Sequence, residues 1–130
     1  MTLALTDQDK ATLRTAAYGA VSLMAAAAGS PHKAATAGSI ALASATGPIG
    51  HVLAAKSKDI NLYGKSVAEL ADHVLPALTA AMSLLKEQAP AEAGDFRGTV
   101  LVAVETAAQD QPSPTTADMA RKITEALDAA

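Results

Sequence analysis

The stretch DINLYGKS, residues 59–66, is the part of the sequence whose residue types and spacing come closest to known chemistry. A phosphate-binding loop reads G-x-x-x-x-G-K-[ST], and this stretch differs from it at the first fixed position. Asp59 stands where the loop requires glycine, and its carboxylate would repel a bound phosphate. Ser66 also begins the pattern S-x-x-E with Glu69, a capping box. We therefore interpret the stretch as the start of a helix and not as a nucleotide site.

A second candidate for chemistry is the sequence ELADH, which places Glu69, Asp72 and His73 within about one helical turn. Carboxylates and imidazoles are common metal ligands. Di-iron helical proteins, however, use Glu-x-x-His twice with further carboxylates, whereas this spacing is different and occurs once. We interpret the three side chains as part of a solvated helix face, and we expect neither a metal nor a cofactor.

His51 follows the short sequence GPIG in an apolar segment, and Tyr63 lies in the loop after that segment. The two residues could lie near a small-ligand cavity among aliphatic helices. A lone histidine near a core is more often structural, and no acid or nucleophile stands at a fixed offset from His51. His32 lies in the first turn of a predicted helix beside Lys33, where we expect it to be solvated. The chain also lacks Cys and a G-x-S-x-G motif, so we expect no enzyme.

The composition predicts an all-α protein. Half of the 130 residues are hydrophobic, but only Tyr18, Tyr63 and Phe96 are aromatic, so the core must be aliphatic. Alanine, the best helix former, supplies about a quarter of the chain. A single domain of this length can bury a core without disulfides or metals. We therefore predict one helical domain, 1–130.

Helical spacing and capping residues divide the chain into an antiparallel bundle of about five helices. Pro76 lies inside one of them and predicts a kink, because proline lacks the N–H that its turn would use. The predicted segments are Thr6 to Gly29, Ser30 to Gly47, a short piece of two or three turns in PIGHVLAAKS, and helices that begin at Ser66, after Pro90 and near Pro114.

The segment after Pro90 is the predicted core helix. In its run TVLVAVE, apolar and polar residues do not alternate as they would in a half-buried strand, and no partner strand is visible in the sequence. Phe96, Val100, Val104 and Ala107, with apolar neighbours beside them, fit a helix that is apolar around most of its circumference. We expect such a helix to be central and buried.

Gly19 and Gly38 lie inside the first two predicted helices, where each costs about 1 kcal/mol relative to alanine. Such residues allow two helices to approach closely. Two alternatives stay open for them. They pack the first two helices against each other within the chain, or they form a helix contact with another subunit or partner.

The charge pattern argues against nucleic acid as a partner. The formal net charge is −3, and no cluster of Lys and Arg is present. The first ten residues are acidic and lack the pattern of a signal peptide, which predicts a cytoplasmic protein. Between Thr15 and Ala55 only His32, Lys33 and His51 can carry charge, so a membrane-associated hairpin is an alternative. Short helices rich in Ala, Gly and Ser make insertion unfavourable.

The N-terminal run LTDQDKATLRTAAYGAVSLMAAA resembles the start of a family of small Ala-rich all-helical proteins of GC-rich bacteria with no assigned function, and the similarity continues loosely through VLPALTAA. This resemblance implies a self-contained bacterial helical domain and implies no site. The sequence therefore predicts a non-catalytic protein–protein interaction or self-assembly module with a protein partner or a homo-oligomer. A small-ligand carrier or enzyme accessory protein and a membrane-associated hairpin are the alternatives.

Overall fold

The computed structural model describes residues 5–28, 31–54, 66–109 and 113–130. Within these ranges the chain forms six helices in antiparallel packing contacts and no strand, which confirms the all-α prediction. The helices are α1 (Asp7–Ala27), α2 (Pro31–Ala43), α3 (Gly47–Ala54), α4 (Val67–Gln88), α5 (Pro90–Gln109) and α6 (Pro114–Asp128). The short third piece expected from the sequence is the eight-residue helix α3.

Side-chain caps fix the starts of three helices where the sequence predicts them. Thr6 accepts from the backbone N–H of Asp9, and the Asp9 carboxylate accepts in return from the N–H of Thr6. Ser66 accepts from the N–H of Glu69 at 3.2 Å, so the last residue of DINLYGKS does begin a helix. Ser113 caps α6 at the residue before Pro114. These bonds satisfy N–H groups that have no partner within a helix.

Helices α1 and α5 each contact all of the other five helices, and α1 buries more of its residues than any other helix. Its buried positions include Leu13, Ala17, Ala20 and Met24, which recur at helical spacing along the sequence. The core around it is aliphatic, with Phe96 as its one buried aromatic ring among the described residues. Helix α4 continues through Pro76, and the kink at that residue stays a prediction.

Helix α5 is central in its contacts, as the sequence predicts, but it is not buried on all sides. Phe96, Val100 and Val104 are buried as expected. The opposite face is open, however, and the side chain of Val102 is 55% exposed. The expectation of burial is wrong for this face alone, because a run that is apolar on all sides does not indicate which side lacks a covering helix. The outer face of α5 is therefore available for another role.

Candidate functional site

The predicted ligand-proximal pair cannot be described as a site. His51 lies on α3 with an exposed side chain, and Tyr63 lies outside the described residues together with the phosphate-loop-like residues 59–65. His32 is in α2, but its side chain is likewise outside what the structure describes. Within the described ranges, no group of three or more His, Cys, Asp or Glu side chains is arranged to hold a metal ion.

Two polar side chains of α1 bind the end of α3 instead. Arg14, only 6% exposed, donates from Nη1 to the carbonyl of Val52 at 3.3 Å. Tyr18 donates its hydroxyl to the carbonyl of Leu53 at 2.9 Å. Burial raises the pKa of Tyr18, and the nearby Arg14 charge opposes that rise. Since carbonyls in the last turn of a helix lack intrahelical partners, these two donors anchor α3 and have a structural role.

The two glycines singled out by the sequence are both buried within the chain. Gly19 lies on the inner side of α1. A Cβ placed on Gly38 would lie 2.8 Å from Cγ1 of Val21 and 3.0 Å from Cγ2, so its absence lets α2 approach α1 closely. Gly38 therefore serves the packing of these two helices within the chain.

Gly50 has a comparable role at the start of α3. A Cβ on Gly50 would overlap the carbonyl group of Ala45 in the turn between α2 and α3. Gly47, the first residue of α3, has a φ of +78°, which side chains other than glycine rarely adopt. These two glycines make the tight return from α2 into α3 possible.

Gly94 and Gly98 of α5 are different, and the sequence interpretation did not single them out. Apart from the adjacent residues and the nearby backbone of α5 itself, no described atom lies within 4 Å of a Cβ placed on either residue. Neither has a positive φ, since Gly47 is the only described glycine that does. Each costs a helix about 1 kcal/mol relative to alanine, and no packing within the described chain offsets that cost. The spacing G-x-x-x-G in GDFRG was the available signal, because residues four apart share a helix face.

These two glycines form part of an open groove between α2 and α5, here called the α5 groove. Its volume is about 500 Å³, which falls within the range of ligand and peptide sites. Small or apolar side chains make up most of its wall, and Val102 stands at one edge. The lining residues are Ala41, Ser44, Ala45, Thr46, Gly94, Asp95, Gly98, Thr99 and Val102.

The α5 groove holds a single titratable group, the carboxylate of Asp95, among the described residues that line it. No hydrogen bond or ion pair joins Asp95 to the described residues, and its Oδ2 faces the start of α3 at Gly47. The hydroxyl of Ser44 donates to the backbone carbonyl of Ile40 at 2.8 Å. The groove therefore offers shape, one negative charge and a few hydroxyls, and it brings together no nucleophile with a base.

A smaller groove of about 250 Å³ lies between α5 and α6 and is lined mainly by apolar surface, including Val104, Ala108 and Ala120. The outer side of α6 carries a network in which Asp118 binds Arg121 and, at 3.3 Å, Lys122. Asp118 and Lys122 are four residues apart, with the acid on the N-terminal side, which is the favourable order for such a pair on a helix. The two cations hold the pKa of Asp118 below its usual range. These charges are exposed, so they contribute to helix stability and form no enclosed site.

No helix within the described ranges is long and apolar enough to cross a bilayer. Among the described surface features, the α5 groove stands out because contacts within the chain do not account for its two glycines. Comparison with family models, with curated proteins and with solved structures finds no match to this chain.

Proposed function

We propose that the chain is a non-catalytic protein-interaction module that binds a helix of its partner in the α5 groove. The observation that carries this proposal is the pair Gly94 and Gly98, whose missing side chains leave open space at an exposed surface. Glycine four residues apart on one helix face permits a second helix to approach closely. Because the fold itself gains nothing from these glycines in the described contacts, a partner is the natural use for them.

The side chains beside the groove support a protein partner. Ile40 is 60% exposed and Val102 is 55% exposed, and with Val67 they make up the large apolar side chains that stand out from the described surface. Ile40 shares a face of α2 with Ser44, a lining residue, since the two are four residues apart. Exposed apolar side chains around a concave patch are typical of protein-binding surfaces.

Native mass spectrometry of protein gently isolated from its host tests the proposal. The unmodified chain should give masses above 13.0 kDa. Gly98→Leu fills the groove and should leave only the 13.0 kDa chain, whereas Ala80→Leu, the same side chain at an exposed position of α4, should retain every complex. Leucine is a better helix former than glycine, so loss of a complex would not reflect loss of the fold. Complexes that persist in Gly98→Leu would contradict the proposal.

A small-ligand carrier is the second candidate, and the volume of the α5 groove favours it. A pocket of about 500 Å³ can hold a drug-sized molecule, and Asp95 with Thr99 would orient a ligand that carries an amine. A ligand that binds only the folded state raises the melting temperature. A screen of amines in which Asp95→Asn loses a thermal shift shown by the unmodified chain would support this candidate. A screen without any such shift would remove it.

A further inference from the structure

We infer that the helix bound in the α5 groove is α5 of a second copy of this chain, running antiparallel to the first and crossing it at Gly98. This inference rests on the proposed function and names its partner. It is carried by the order of residues along the outer face of α5 and by the charges at its two ends.

The outer face of α5 combines two holes and one projecting side chain. Gly94, Gly98 and Val102 are spaced four residues apart, so they lie on one face of α5 and rise about 6 Å at each step. The two glycines leave open space, and Val102 projects from the same face. The open space at the glycines can therefore accommodate an apolar side chain like that of Val102, which projects at the other end of the same face.

An antiparallel pair makes this surface complementary to itself. Gly94 and Val102 each lie four residues from Gly98, on opposite sides of it. When two copies cross antiparallel at Gly98, Val102 faces Gly94 of the partner subunit, and the partner's Val102 faces Gly94. A two-fold contact requires this reciprocity, because the same patch is used on both subunits. Two apolar side chains are buried in two holes by a single symmetric contact.

The charges on α5 favour the antiparallel direction. A parallel pair that crosses at Gly98 would bring Asp95 to the same level as the partner's Asp95, and two carboxylates would then repel each other. In the antiparallel pair Asp95 faces the partner's Leu101, since both lie three residues from Gly98.

Glu105, near the C-terminal end of α5, lies in a favourable electrostatic environment in the antiparallel pair. Glu105 and Ala91 each lie seven residues from Gly98, so Glu105 faces the first turn of the partner's α5. The N-terminal end of a helix carries partial positive charge and stabilises a nearby carboxylate. Glu92 of that turn lies about 100° further around the helix than Ala91 and is not at the centre of this contact. Charge and shape therefore select the same direction.

Single-cysteine variants test the inference directly, because the chain has no native Cys. A disulfide forms only where two Cα atoms approach within about 7 Å. Under mild oxidation, Gly98→Cys should cross-link to itself. A mixture of differently tagged Gly94→Cys and Val102→Cys chains should form the mixed dimer severalfold more than either forms a dimer with itself. Ala80→Cys on the exposed side of α4 is the matched control and should stay monomeric.

Three results would overturn the inference. Efficient self-cross-linking of Gly94→Cys would indicate a parallel pair. A mixed dimer no more abundant than the Ala80→Cys background would exclude the predicted contact. Sedimentation of the unmodified chain as a strict monomer at high concentration would exclude a second copy. If that monomer still forms a Gly98-dependent complex in its host, the proposed function stands and only the identity of the partner is wrong; if neither complex exists, both are wrong.

Discussion

Replacement of Gly98 by alanine should stabilise this protein, although glycine occupies the position naturally. No described atom outside the adjacent residues and the nearby backbone of α5 lies within 4 Å of the new Cβ, and the φ of Gly98 is not positive, so alanine adds no strain. Alanine favours a helix interior over glycine by about 0.8–1.0 kcal/mol. Unfolding entropy near 60 °C is roughly 2.1 cal/mol/K per residue, or about 0.27 kcal/mol/K for this chain, so Tm should rise by about 3–4 °C.

Thermal unfolding followed by circular dichroism at low protein concentration measures this change for the monomer. Gly38→Ala is the matched control, because it is the same substitution in another helix interior. The same gain in helix propensity applies there, but the new Cβ would lie 2.8 Å from Cγ1 of Val21, and the overpacking cost of about 1–3 kcal/mol should outweigh it. The two variants should therefore shift Tm in opposite directions. A Tm that falls in Gly98→Ala would refute the conclusion that the fold does not use this glycine.

Three further changes have defined outcomes. Gly50→Ala should destabilise the protein by at least about 2 kcal/mol, because the new Cβ would overlap the backbone carbonyl of Ala45. An unchanged midpoint of denaturant unfolding would show instead that the α2–α3 turn adapts freely. Tyr18→Phe removes the hydroxyl that binds the carbonyl of Leu53 and should lower the free energy of unfolding by about 0.5–1.5 kcal/mol in the same assay, whereas no loss would mean that water replaces the bond. The hydrogen bond from Arg97 lowers the pKa of Asp128. The stabilising effect of this bond is therefore complete above the usual carboxyl pKa and is lost as the pH falls through the lowered pKa of Asp128. The Tm difference between the unmodified chain and Asp128→Asn should accordingly be small and vanish in acid, and a difference that grew in acid would contradict this assignment.

The local signals in the sequence predict much of the fold. Thr6 and Ser66 mark helix starts because their hydroxyls accept backbone N–H groups, and Pro114 does so because it lacks an N–H that would have no partner there. The spacing of Leu13, Ala17, Ala20 and Met24 predicts one buried face of α1, but the packed helices bury residues around most of its circumference. The open face of α5 could not be predicted in this way, because Val100 and Val102 look equivalent in the sequence and only the neighbouring helices distinguish them.

The candidate site was harder to predict than the fold, and the glycines show why. Gly38 and Gly98 both stand inside helices, and composition gives no reason to separate them. One contacts Val21 of α1 and the other borders open space, a difference that depends on how α2 and α5 are placed. The ligand-proximal role of His51 and Tyr63 stays a prediction, since Tyr63 lies outside the described residues.

Site-specific photo-cross-linking in the host cell tests the central claim most directly. A photoreactive residue placed at Val102, beside the α5 groove, should capture a protein partner, and the same residue at Ala80 on α4 should capture none. Gly98→Leu in the Val102 variant should abolish the product, because the groove is then filled. Equal products from the two positions, or no product at Val102, would contradict the conclusion that this groove binds protein.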